Sequence, residues 1–169
     1  MRHLVKKNTD KNSSNYWDAR WSLHLREDDR NPLAHKGFKE RVSRVMNQYD
    51  CENVLEIGCG PNPPLIGLPN VTHLDFSFNA LKESGLDSFI YADITKHIPV
   101  PDKTFDATFS CACLMHLSKE SLPLACAEIQ RVTKKVLITQ EAEEMDLKRY
   151  FDSIAVVSII NLMVQDKEG

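Results

Sequence analysis

Val54-Leu55-Glu56-Ile57-Gly58-Cys59-Gly60-Pro61-Asn62 marks the point where an apolar run breaks into a glycine-spaced loop. The run reads as a buried strand, and the loop as the turn that its carboxyl end presents to a ligand. Glycine has no Cβ, so Gly58 and Gly60 can take positive φ and leave bare backbone for a ligand to approach. Near the far end of the next expected strand, Val71-Thr72-His73-Leu74, stands Asp75. A carboxylate there can accept hydrogen bonds from both hydroxyls of a ribose. Turn and acid together point to a nucleotide-like ligand. A nicotinamide or flavin fingerprint, G-x-G-x-x-G, needs glycine at position 63 to start a helix under a pyrophosphate. Pro63 stands there, which argues against a dinucleotide.

With Glu56 at its head the stretch reads E-x-G-x-G-x-N, and it resembles motif I of the class I S-adenosylmethionine-dependent methyltransferases of the small-molecule, type 11 kind. The resemblance runs from about Tyr16 almost to the C-terminus. "HLDFS" resembles the family's second motif, "YADI" its third, and "FDATFSCACLMHLS" the segment around its fourth strand. It implies S-adenosyl-L-methionine as cofactor and S-adenosyl-L-homocysteine as product. It also implies cofactor-binding positions at Glu56, Gly58, Cys59 and Gly60, at Asp75, Phe76 and Ser77, at Asp93 and Ile94, and at Cys111. Asp93 would accept from the adenine amino group, with Phe76 and Ile94 on the two faces of the base. "YWDARW" (16–21) resembles the N-terminal segment that folds over the methionine end of the cofactor, with Tyr16 and Arg20 as its contacts. The residues alone leave a second reading open, in which three aromatics in six positions close one end of the core.

The alternation of strand and helix patterns implies an α/β fold with a mainly parallel sheet and right-handed crossovers. By resemblance it is a Rossmann-like three-layer sandwich of seven strands in the order 3-2-1-4-5-7-6, the last strand antiparallel. Asn31-Pro32 is expected to start a helix whose buried face is Phe38, Val42, Val45, Met46 and Tyr49, with His35 exposed near its start. After the first strand, Pro61, Pro63, Pro64, Gly67 and Pro69 crowd the interval where the family places a helix. Proline inside a helix costs about 3 kcal/mol, so that helix is expected to be absent or cut to one turn.

Ser77 to Ser84 before Gly85 reads as a short capped helix. A third strand follows at Ser88 to Tyr91, and a proline-bearing loop at 99–102 takes the place of another helix. Phe105 to Ser110 is the fourth strand. Ser118 or Ser121 caps a helix whose Leu122, Ala125, Cys126, Ile129 and Val132 form one apolar stripe. Lys135 to Thr139, a short helix Met145 to Phe151, and strands at Ile154–Ile160 and Leu162–Gln165 joined by a tight turn at Asn161 complete the order.

A chain of 169 residues with 42% hydrophobic and 27% charged side chains fits one soluble globular domain. We divide it into a flexible 1–14, a lid and helix at 15–50, and a core at 51–169. Ile154 to Val164 is the most apolar stretch, and it is too short to span a bilayer. Met1 to Asn15 is polar and basic rather than a signal peptide, so the expected location is cytoplasmic. The odd set of five cysteines (51, 59, 111, 113, 126) fits a reducing compartment. Cys111-x-Cys113 with His116 lacks a matching second pair, so no metal is expected. Residues 1–50 carry eleven Lys/Arg against seven Asp/Glu, and the rest ten against seventeen. That pattern reads as a solvated face more readily than as an anion-binding surface, and it does not indicate nucleic acid.

The strand order is expected to reverse beside the first strand, where ligands bind beyond the carboxyl ends. A sulfonium methyl group needs a nucleophile held in line and water excluded, so the absence of a catalytic triad does not argue against an enzyme. If the acceptor is a hydroxyl, a side chain titrating near neutrality helps remove its proton. His116 in "LMHLS" is the candidate base, with a structural role as its alternative, and Glu141 is a second candidate. The segment after the fifth strand is short, so acceptor contacts should come from the N-terminal flap. The acceptor is expected to be a small molecule. The alternative is a non-catalytic S-adenosylmethionine-binding module that needs a partner.

Overall fold

Val54–Ile57 forms strand β1, and all four residues are buried. Alternate side chains of a strand point to opposite faces, so burial of every position requires packed layers on both sides. The computed structural model describes residues 10–23, 37–142 and 145–160. Within them follow helices α1 (Ser14–Leu23) and α2 (Phe38–Gln48), β1, strand β2 (Val71–Asp75), helix α3 (Phe78–Glu83), strands β3 (Ile90–Tyr91) and β4 (Phe105–Cys111), helix α4 (Ser121–Val132), and strands β5 (Thr133–Gln140) and β6 (Ala155–Ser158). The six strands form one sheet in the order β3-β2-β1-β4-β5-β6, and every pairing is parallel. The protein is therefore the expected Rossmann-like α/β sandwich. The order reverses at β1, between β2 and β4.

Each face of the sheet carries its own core. On one side the α4 stripe of Ala125, Cys126, Ile129 and Val132 packs with Leu55, Ile57, Leu74 and Leu137. On the other, Val42, Val45 and Met46 of α2 and Leu65 of the β1–β2 connection pack with Val54, Phe109, Val136 and Ile138. Full burial of each such side chain contributes about 1.5–3 kcal/mol, which makes these two layers the main source of stability.

No helix separates β1 from β2; turns occupy that interval, as the prolines require. A buried glutamate ties the connection down instead. Glu56 Oε1 accepts from the Leu65 amide at 3.1 Å, and Oε2 lies 2.6 Å from Nδ1 of His73, its direct neighbour on β2. Ser77 caps α3 by accepting from the Ala80 amide, and Gly85 (φ +70) follows its end.

Several boundaries differ from expectation. Gly37 (φ +82) stands at the N-cap, so α2 begins at Phe38; Asn31-Pro32 and His35 lie outside the described residues. The third strand shrinks to Ile90–Tyr91, and the fifth extends from Thr133 to Gln140. The expected helix at 145–151 is a single 3-10 turn, Lys148–Tyr150. β6 pairs directly with β5, where the expected order had the seventh strand between them. That seventh strand and Asn161 fall outside the described residues. All five cysteines are free thiols. Among the described residues, no helix is long and apolar enough to cross a membrane.

Candidate functional site

The parallel register brings the ends of β1, β2 and β4 level: Ile57 lies beside Leu74 on one side and Ser110 on the other. Gly58, Asp75 and Cys111 therefore emerge together at the point of strand reversal. There a cavity of about 550 Å³ opens beneath α1. The sequence-derived positions Tyr16, Arg20, Gly58, Cys59, Gly60, Asp75, Phe76, Asp93, Ile94, Cys111 and His116 all line it. Glu56 and Ser77 do not line it. Glu56 faces Leu65 and His73, and the Ser77 hydroxyl donates to Asp18 at 2.7 Å.

The two glycines of the turn serve different ends. A Cβ at Gly58 (φ +61) would overlap the Cys113 thiol and come within 2.8 Å of its Cβ, so the bare backbone there accommodates the β4 segment. At Gly60 (φ +64) a Cβ would meet nothing within 4 Å, which leaves that side open. The Gly60 amide donates to Asp75 Oδ2 at 2.9 Å, and the Ser77 amide donates to Oδ1 at 2.8 Å. Burial pushes the Asp75 carboxyl up, while the amides of Ser77, Gly60 and Phe76 pull it back. Each oxygen retains acceptor capacity beyond its amide.

Asp93 closes an Asx turn, accepting from the Thr95 amide and hydroxyl at 2.9 and 2.7 Å. Partial burial opposes its ionisation. Thr95 and Lys96 outweigh that effect and hold its carboxyl below the usual range.

The thiols are a different matter. Burial, reinforced by Glu141, pushes Cys111 up to about 12, and burial raises Cys59 and Cys113 as well. They stay protonated near neutral pH and are poor nucleophiles. Among the described residues no cluster of three potential metal ligands occurs.

Helix α1 lies across the cavity as a strap. Tyr16 and Arg20, and likewise Trp17 and Trp21, are four residues apart, so each pair shares a helix face. Trp17 stacks on Trp21 at 6.0 Å between centroids and meets the His116 ring at 5.2 Å; Arg20 lies 4.7 Å over Trp21. The strap is fastened on both flanks. Asp18 Oδ1 accepts from the Ser77 hydroxyl and the Asn79 amide, and Asn12 Oδ1 accepts from the Ser118 amide at 2.9 Å. Burial, then the Lys11 ammonium, pushes the His116 imidazole down. At pH 7 it is neutral and able to take a proton.

Sequence reasoning missed several wall residues: Lys11 and Asn12 within a polar stretch, Trp17 and Trp21, and Asn62 at the end of E-x-G-x-G-x-N. The four-residue spacing of the tryptophans was a usable signal. Asn62 gave one as well, as the last named residue of that motif; in the fold its Nδ2 is buried without a hydrogen-bond partner among the described residues. A buried donor of this kind is costly unless a ligand supplies an acceptor. With the open face of Gly60, it makes the wall fit a polar, acceptor-bearing group. Glu141, the second candidate base, does not line the cavity; its oxygens accept from Ser110, Cys113, Leu114 and Met115.

Known proteins now bear on this geometry. A family model described as "Methyltransferase domain" matches residues 55–139. No curated protein matches the chain. Among solved structures, the chain is similar to a Methanococcus maripaludis protein put forward as an S-adenosyl-L-methionine-dependent methyltransferase. Identity there is 18% over 96% of this chain and 75% of that one, with a TM-score of 0.58. It is also similar to a protein from work on the conversion of a disulfide bond into a thioacetal group during echinomycin biosynthesis. Identity there is 20%, over 72% of this chain and 56% of that one, with a TM-score of 0.55. The chain thus spans little more than half of that second protein's length. At such identities the likeness is one of fold. The family match covers half of the chain, from the β1 run through β5, and on that ground the chain belongs to the methyltransferase-domain family.

Proposed function

We propose that this chain transfers a methyl group from S-adenosyl-L-methionine to a small-molecule acceptor by in-line displacement, with S-adenosyl-L-homocysteine as product. One observation carries the reading. A single cavity joins the Gly60–Asp75 lock, the unpaired Asn62 amide and Asp93 to an aromatic strap and a neutral histidine.

Asp75 offers its remaining lone pairs to ribose hydroxyls, and Asp93 offers its own to an adenine amino group. Phe76 and Ile94 supply apolar faces for the base. Asn62, Tyr16 and Arg20 suit the carboxylate of the methionine moiety. The cofactor supplies a methyl group already activated by its sulfonium, so the chain has chiefly to orient the acceptor and exclude water. The α1 strap performs the exclusion. His116 takes the proton of a hydroxyl acceptor, for which a neutral imidazole at pH 7 is suited. A 550 Å³ cavity roofed by a helix favours a small acceptor over a polymer.

Calorimetry with S-adenosyl-L-methionine, S-adenosyl-L-homocysteine and NAD tests the cofactor reading; heat with the first two alone is expected, and silence with both removes it. With an acceptor found by screening extracts for released S-adenosyl-L-homocysteine, His116→Ala should lower turnover about a hundredfold. Because the imidazole is depressed below 6.5, kcat/KM should fall only on the acid side of that value, and the substitution should abolish that limb. The helix-free connection after the glycine turn favours one rival, a cofactor-binding module that works through a partner. Binding without turnover on any acceptor would select it.

A further inference from the structure

The cavity wall opposite the adenosyl acids is a short, strained segment. β4 leaves the sheet at Cys111, Ala112 takes φ +47, and Leu114–His116 forms one 3-10 turn. A left-handed conformation at alanine costs about 1–2 kcal/mol, and so short a turn satisfies few of its own amides. Those amides converge on one carboxylate. Glu141 Oε1 accepts from the Cys113 and Leu114 amides at 3.1 and 3.2 Å and from the Ser110 hydroxyl at 2.5 Å; Oε2 accepts from the Met115 amide at 3.1 Å. Glu141 is 6% exposed, and Leu114 beside it is fully buried. With four donors on its two oxygens, this carboxylate is occupied as an acceptor and is no general base.

The segment it holds touches the site twice. Cys113 presses on Gly58 of the cofactor turn, and His116 packs against Trp17 of the strap. We propose that Glu141 is the positioning residue of this site, setting Cys113 against the cofactor turn and His116 beneath the strap through its hold on the three amides. The proposal rests on the methyltransferase reading for its catalytic meaning. The hold itself can be measured without cofactor.

In the wild-type protein, the Cys113, Leu114 and Met115 amides should exchange with solvent far more slowly than those of the exposed Lys119–Glu120 turn. Equal rates overturn the proposal whether or not any variant folds. Glu141→Gln keeps one acceptor oxygen but turns an NH₂ toward the Met115 amide. It should shift those three resonances and move the His116 titration, followed at the ring Cε1 proton, back toward 6.5. It should also weaken S-adenosyl-L-homocysteine about tenfold, a loss of about 1.4 kcal/mol. A Glu141→Gln protein with a lowered Tm but unmoved His116 titration and unchanged affinity would make Glu141 merely structural and sink the proposal. Absence of cofactor heat in the wild type would sink the functional reading instead, while amide exchange and the histidine titration still decide the role of Glu141.

Discussion

Two connections in this sheet run without a helix, the one from β1 to β2 and the one from β3 to β4, and the protein holds both by the same device. In the first, Glu56 accepts from the amide of the buried Leu65 and pairs with His73. In the second, Glu128 of α4 accepts from the amide of the buried Ile98 at 2.6 Å and is gripped by Arg131 through both carboxylate oxygens. An ordered loop has backbone donors that no helix satisfies, and a neighbouring carboxylate replaces the missing carbonyls. The difference lies in the counter-ion. Glu56 is 1% exposed beside a histidine, whereas Glu128, also buried at 8%, sits beside a permanently charged, partly exposed guanidinium. Burial pushes the Glu56 carboxyl up against the pull of His73, while Arg131 draws Glu128 down. One device thus carries two opposite pH responses.

Glu56→Ala should produce the largest loss, about 3–5 kcal/mol in urea unfolding, because it strips the buried partner from both His73 and the Leu65 amide. Glu56→Gln should recover part of it by keeping an acceptor for Leu65. Equal losses would mean that the charge, rather than the amide it satisfies, holds the connection. Gly58→Ala should cost about 3 kcal/mol, since left-handed strain adds to overlap with Cys113. Gly60→Ala, with open space at its Cβ, should lose only the backbone share of about 1 kcal/mol. Cys113→Gly should restore part of the stability of Gly58→Ala, and no restoration would break the link between the β1 and β4 turns.

Much of this was legible in the chain. Hydrophobic periodicity marks β1, α2 and the α4 stripe, because burial writes itself into local spacing. Five closely spaced breakers announce the missing helix after β1. The partners of the glutamates were not legible. Which amide needs an acceptor depends on the path of a loop, so nothing local announced that Glu56 would hold the Leu65 amide or Glu141 the amides after β4. The reason for Gly58 lies 55 residues away in Cys113, a contact without local signature. For the same reason Asn12 and Lys11 read as a solvated tail, although Asn12 fastens the strap to Ser118.

A pH-dependent effect is the sharpest test of the contrast between the two glutamates. The Glu128 carboxyl lies below its ordinary 4.5 in the folded protein, so the stability it contributes is present above that value and is lost as pH falls through the folded pKa. Glu56, raised by burial, behaves in the opposite sense, and its share is lost as pH rises through its folded pKa. Arg131→Gln should therefore cost about 2 kcal/mol near neutrality, by releasing charged hydrogen bonds to Glu128 and to the Val100 and Ile98 carbonyls. The same variant should flatten the acid limb of the Tm-against-pH curve below about 4.5, while at higher pH the curve is lowered without a change of slope. A limb that survives in Arg131→Gln and disappears in Glu56→Gln would reverse the assignment of the two responses. It would also show that the histidine-paired glutamate, rather than the arginine-paired one, carries the protein's acid sensitivity.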